Sequence, residues 1–319
     1  MTAPERWRAH RAGDEIYTLG EGPVWDGPRD RVLWVDIEAG TVHEGRLDGD
    51  RIVPTASHHV DRTVGAVAVS ARGDIVVAAA QDIRVLTADG RLLGGPRVLP
   101  AGARRRLNDG ACDPAGRFLV GSLELVEPDG GEILARVEPD GAITVLDRDL
   151  NLSNGLAWSA DGAVFYSIDS VPGIVYARDY VAATATANTA PATAPAGAVG
   201  PRRELLRTGG LPDGMCVDAE GCLWIAIWGT GEVRRYTSDG VLIGVVETDA
   251  LHVTCPAFVG RDLDRLLITT ATQGLSPDQL SRSPDSGRLL LADVGVVGLP
   301  TAAWSGEPWP ADPDAASAA

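Results

Sequence analysis

Lysine is absent from this 319-residue chain, and all 28 basic residues are arginine. Coding bias in a GC-rich genome accounts for this, since selection for bidentate anion contacts would cluster the arginines and only Arg104-Arg105-Arg106 is such a cluster. Positive charge is scarce as well. With 44 acidic residues the formal net charge is -16, so the chain lacks the basic face that phosphate recognition needs; neither nucleic acid nor an anionic membrane surface is an expected partner, and cations are favoured.

No apolar run reaches the length of about 18 residues that a membrane helix requires, and Glu5, Arg6, Arg8 and Arg11 interrupt any leader-like region. A cytoplasmic location is the expectation. The four cysteines, Cys112, Cys216, Cys222 and Cys255, show no C-x-x-C spacing, so reduced and mostly buried thiols are expected in place of a disulfide framework or a zinc site. No G-x-S-x-G elbow occurs, and His10, His43, His58, His59 and His252 show no H-x-x-x-H spacing. His58 and His59 would point to opposite faces of a strand.

Helical periodicity is missing too. Glycine (38) and proline (21) are too frequent for long helices but natural for many tight turns. What the chain has instead is a repeated phrase: an apolar pair, a small Asp/Gly turn, then an alternating apolar strand. Val24-Trp25-Asp26 leads to Val32–Asp36, Val67–Ser70 to Ile75–Ala78, and Cys112-Asp113 to Phe118–Gly121. Trp158-Ser159 then leads to Val164–Ser167, Val217-Asp218 to Leu223–Ala226, and Phe258-Val259 to Leu266–Thr269.

Four of the five intervals are about 40 to 46 residues, the period of a propeller blade with four short strands; the other is about 60. That one contains an Ala/Thr/Pro tract, residues 182–200, which reads as a low-complexity insertion. Asp-Gly turns after third strands, at Asp89-Gly90, Asp140-Gly141 and Asp239-Gly240, are hairpin signals. The expected fold is therefore all-β, a six-bladed β-propeller with four-stranded antiparallel blades. It forms one domain over residues 1–305, followed by a disordered tail over 306–319. Trp25, Trp34, Trp158 and Trp224 occupy strand positions and are expected to pack between blades, whereas Trp228 follows a strand and is expected near a channel mouth.

A propeller brings the starts of its inner strands to one mouth of the central channel. Glu21 in Leu-Gly-Glu-Gly-Pro, Asn108 in Arg-Leu-Asn-Asp-Gly, Asn154 in Leu-Ser-Asn-Gly-Leu and Asp213 in Leu-Pro-Asp-Gly-Met precede the phrase at one phase. Taken singly, the Asn and Asp motifs read as ordinary turn formers, whereas Glu21, among Gly20, Gly22 and Pro23, is the least explicable as a turn. Together, two carboxylates and two amide oxygens would make an oxygen-rich site suited to a divalent cation such as calcium, magnesium, manganese or zinc.

These motifs, with D-P-A-G-R-F after Gly110 and D-A-E-G-C-L-W after Val217, resemble the regucalcin/gluconolactonase family of six-bladed propellers, over about Gly20 to Trp304. The resemblance implies one divalent metal ion (calcium, zinc, manganese, magnesium or iron) held by Glu21, Asn154 and Asp213, with Arg106 and Asn108 contacting substrate. It further implies that Asp213 is the general base for a water attacking a lactone carbonyl, and that Arg106 binds vicinal hydroxyls or the product carboxylate. The family also holds substrate with a glutamate; Val126 falls at that position here, with Glu124 and Glu127 nearby and Glu124 the candidate. The expected function is metal-dependent opening of a sugar lactone to its aldonic acid, the small-molecule lactone being the partner. A broader esterase or phosphotriesterase, or a non-catalytic calcium-binding regulatory propeller, are the alternatives. A closed ring without exposed sheet edges is expected to be a monomer, with weak self-association the alternative.

Overall fold

The computed structural model describes residues 3–126, 130–182 and 196–309. Six antiparallel sheets follow one another along the chain, and their first strands contact each other in a closed ring, which makes a six-bladed β-propeller. Blade 1 shows the plan, running outwards from Gly20–Asp26 through Arg31–Asp36 and Thr41–Asp48 to Arg51–His59. The inner strands of blades 2 to 6 are Ala66–Val69, Arg105–Cys112, Ser153–Trp158, Leu211–Val217 and His252–Val259. These coincide with the six apolar phrases.

Second strands are covered on both faces by neighbouring blades, so they read as continuous apolar runs: Val32, Leu33, Trp34 and Val35 are fully buried, as are Leu223 to Ile227. Trp34 and Trp224 fill the interblade space, as expected. The three Asp-Gly turns join third to fourth strands in blades 2, 3 and 5. All four cysteines are free thiols.

At the ends of the inner strands, buried carboxylates tie down the turns. Asp113 Oδ1 accepts from the N–H groups of Ala115 and Arg117, and Asp218 Oδ1 from those of Glu220 and Cys222, all at 2.9–3.0 Å. Arg117 and Arg235 neutralise these two carboxylates, which removes the cost of burying an unpaired charge.

Two segments close the ring. His10–Arg11 pairs with Leu290–Ala292 as the outer strand of blade 6, and Glu5–Arg8 adds in parallel to the outer edge of blade 5. The chain near the other end runs across the far mouth: Gly298 bridges Asp218, and the Trp304 N–H donates to the Val69 carbonyl at 2.8 Å. Trp304 is buried there.

Most of the 182–200 tract and most of the 306–319 segment lie outside the described residues, as does Glu127. The ends of the first are joined, with Tyr180 bridging Val199 between the third and fourth strands of blade 4. Among the described residues no helix is long and apolar enough to cross a membrane, and the one α-helix is Pro277–Arg282.

Candidate active site

The polar residues that begin the inner strands are aimed by a local defect in pairing. In blades 1, 3, 4, 5 and 6 the inner strand carries one extra residue against its neighbour, at Glu21/Val24, Leu107/Gly110, Asn154/Leu156, Pro212/Met215 and Val253/Pro256. Such a bulge bends the strand and turns its side chains into the channel. Blade 2 pairs in regular register and supplies no polar residue to the site.

The glycine after the polar residue serves packing. A Cβ at Gly155 would stand 2.7 Å from the Asp213 carbonyl, and one at Gly214 2.4 Å from Cys255 Sγ. Inner strands approach that closely only without a side chain there.

Buried side chains fix the entry to each inner strand. Asp36 accepts from the Thr18 and Leu19 N–H groups just ahead of Glu21, and Asp169 from those of Asn151 and Leu152 just ahead of Asn154. Gln81 does the same before Arg106, donating from Nε2 to the carbonyls of Ala103 and Arg105. Residues at or just past the ends of the second strands thereby hold the backbone from which the functional side chains project.

A cavity of about 200 Å³ opens at this mouth and is lined by Glu21, Arg106, Asn108, Asn154 and Asp213 together. All five are buried. Hydrogen bonds link three blades: Arg106 Nη1 donates to Asn108 Oδ1 at 2.6 Å, Asn108 Nδ2 to Asn154 Oδ1 at 2.7 Å, Asn154 Nδ2 to Ser170 Oγ at 2.9 Å, and Ser170 Oγ to the Pro212 carbonyl at 2.6 Å. Both amides are thus oriented, and the Asn154 oxygen retains a second lone pair.

Charge in this pocket is unbalanced. Burial first, then the neighbouring Asp213 and Asp109 carboxylates, raise Glu21 well above the usual carboxylate range; burial and then Asp109 do the same to Asp213. Arg106 forms no ion pair among the described residues. Burial lowers it to about 10, against the raising influence of Glu38, Glu21 and Asp213.

Two residues of this machinery escaped the sequence reading. Asp109, beside Asn108 on the bulge, lines a second cavity of about 510 Å³ under the far-mouth strap; burial raises it to about 6, while the Gly110 and Gly155 N–H groups pull the other way. Ser170 connects Asn154 to the strand bearing Asp213. A signal for Asp109 was present in Arg-Leu-Asn-Asp-Gly, but Asp before Gly reads first as a turn. Ser170, in the turn after a second strand, carried none.

Glu124 is not among the cavity-lining residues. It lies at the end of its strand 3.6 Å from Arg105 Nε, which is also bonded to the buried Glu132 at 2.7 Å. Val126, at the family's glutamate position, is 59% exposed. No histidine lines the cavity, whereas Trp228 does, stacked on His252 with ring centroids 3.9 Å apart.

The sequence profile of the SMP-30/Gluconolactonase/LRE-like region matches residues 19–272, a span that contains every bulge described above. The chain belongs to that family. Within it, the chain is 33% identical over 302 residues to the pentonolactonase XacC of Haloferax volcanii, covering 91% of this chain and 96% of that one. It is 31% identical over 295 residues to regucalcin of Danio rerio, covering 90% and 95% respectively. A solved structure of regucalcin from Agrobacterium tumefaciens, described as a calcium-binding protein, superposes with a TM-score of 0.83 at 26% identity over 95% of this chain and 99% of that one.

Proposed function

We propose that this protein is a divalent-cation-dependent lactonase that opens a lactone ring to the hydroxy acid. The observation that carries this reading is the convergence of Glu21, Asn154 and Asp213 from three blades on one cavity beside a guanidinium. The pentonolactonase relative supports the reaction class, and the calcium-binding regucalcin structure supports a cation.

The donors fit a hard cation. Among the described residues no three His, Cys, Asp or Glu side chains gather around one point, so a cation here would take the Asn154 amide oxygen with the two carboxylates. Oxygen-only donors suit calcium, magnesium or manganese better than zinc, which prefers nitrogen and sulfur. The raised carboxylates of Glu21 and Asp213 mark a desolvated pair that such a cation would neutralise. When bound, it would polarise the lactone carbonyl and stabilise the negative charge that develops there.

The chain's own groups account for the rest. Asp213 takes a proton from the attacking water as its oxygen bonds to the carbonyl carbon; the ring C–O bond breaks, and the proton passes to the ring oxygen, leaving a free hydroxyl and a carboxylate. Glu21 stays a fixed anion. Asn108 and Ser170 hold the Asn154 amide in place, and Arg106 offers its remaining N–H groups to the new carboxylate.

Acid release from lactones and an aryl ester, with chelator and with calcium, magnesium or manganese restored, tests the reading. Lactone turnover that vanishes on chelation, returns with the cation and falls by about a hundredfold or more in Asp213→Asn is expected. Cation binding without turnover of any lactone or ester would favour a regulatory calcium-binding protein. Full activity in Asp213→Asn would overturn the mechanism alone.

A further inference from the structure

The floor of the cavity is polar, but its walls are not. Leu123, Leu152, Val171, Leu211 and Trp228 line it above the polar floor. Outside the floor, Gln273 is the one polar lining residue among those described, and its Nε2 is engaged by Glu38 at 2.9 Å.

The floor itself has few hydrogen bonds to spare. Asn108 Oδ1 accepts from Arg106, its Nδ2 donates to Asn154 and to the Ser153 carbonyl, and Ser170 both accepts and donates. With Glu21, Asn154 and Asp213 assigned to a cation, the Arg106 guanidinium is the charged donor left for substrate. That suffices for one carbonyl or carboxylate. A polyhydroxylated ring brings several hydroxyls, and each one lodged against Leu152, Val171 or Leu211 loses water without a partner. An alkyl chain gains by the same contact.

A second observation points the same way. Val171 and Leu211, both of which line the cavity, are 47% and 45% exposed. Large apolar side chains left in water around a cavity mark a surface that a ligand covers.

We propose that this mouth selects lactones carrying an apolar substituent over polyhydroxylated aldonolactones. The substrate class is a δ-lactone with an alkyl chain on the carbon next to the ring oxygen, its carbonyl on the polar floor and its chain against Leu152, Val171 and Leu211. The inference rests on the lactonase reading for turnover, but not for binding.

The test compares kcat/KM for δ-nonalactone, δ-valerolactone and glucono-1,5-lactone with calcium or manganese added, corrected for spontaneous ring opening. Calorimetry with the corresponding lactams, which are not turned over, reads the same preference as binding. δ-Nonalactone should exceed δ-valerolactone on the order of tenfold, at up to about fourfold per methylene that enters the mouth, with gluconolactone lowest. Leu211→Asn and Val171→Asn, both at exposed positions, should each cut the nonalactone-to-valerolactone ratio several-fold. Gluconolactone equal to or above δ-nonalactone, or a ratio unmoved in both variants, overturns the inference. Lactams that bind in the expected order while no lactone is opened would sink the lactonase reading and uphold the apolar mouth.

Discussion

Asn154 donates from Nδ2 to Ser170 Oγ at 2.9 Å, and that hydroxyl passes the constraint to the Pro212 carbonyl, one residue before Asp213. One serine therefore sets both the amide face that Asn154 shows the cavity and the backbone that carries Asp213. In Ser170→Ala the amide loses one of its two anchors, keeping only the bond from Asn108, and a buried carbonyl loses its donor. Calcium affinity, measured by calorimetry, should fall about 10- to 100-fold, with a stability loss of about 1–3 kcal/mol. Ser170→Thr, which keeps the hydroxyl, should recover most of the affinity. Unchanged affinity in Ser170→Ala would show that Asn154 is oriented without it.

Asp109 gives the cation-free protein a pH signature. Its carboxyl is raised by burial to about 6, above an unfolded value of about 4. Between those values the folded state holds the proton more firmly than the unfolded state does, so its contribution is present below about pH 4 and is lost as pH rises through about 6. Denaturant unfolding in chelator should show a decline across that window to which Asp109 contributes at most about 3 kcal/mol, beside the share of the raised Glu21 and Asp213 carboxyls. Asp109→Asn should make the decline shallower, and a slope unchanged in this variant would assign the window to Glu21 and Asp213 alone.

Gly155 stands where no side chain fits. Its φ is +25°, and an added Cβ would meet the Asp213 carbonyl at 2.7 Å and Ile168 Cδ1 at 2.4 Å. Gly155→Ala should cost about 2–4 kcal/mol and weaken cation binding even where the variant still folds. Gly49→Ala makes a useful contrast, since φ is +56° there but nothing lies within 4 Å; it should lose about 1 kcal/mol from the backbone alone.

The blades were legible because two periods coincide: alternation within a strand, and recurrence of the Asp/Gly turn. Val32 to Val35 and Leu223 to Ile227 announce second strands by unbroken apolarity. The polar residues Glu21, Asn108, Asn154 and Asp213 were legible as exceptions to the repeat. Their aim was not, since it depends on a bulge that inserts one residue against a strand not adjacent in the motif. Ser170 was hidden for a related reason: its partners, Asn154 and Pro212, belong to two different blades. Glu124 illustrates the converse, a charged residue near the motif in sequence that the structure sets beside Arg105 and Glu132.

The strands that close the ring join residues far apart in sequence, Arg6 pairing with Val245 and His10 with Leu291. During synthesis the segment Glu5–Arg11 leaves the ribosome long before Leu242–Glu247 and Leu290–Ala292 exist to receive it. At about 5–20 residues per second the wait is on the order of ten to fifty seconds. Through that interval the earlier blades can assemble in order while the outer strand of the sixth waits for its three inner strands, so ring closure comes last and is slow for its separation in sequence. A tag or fusion partner at the amino terminus would load this seam, and its effect would appear as delayed refolding before any loss of native-state stability.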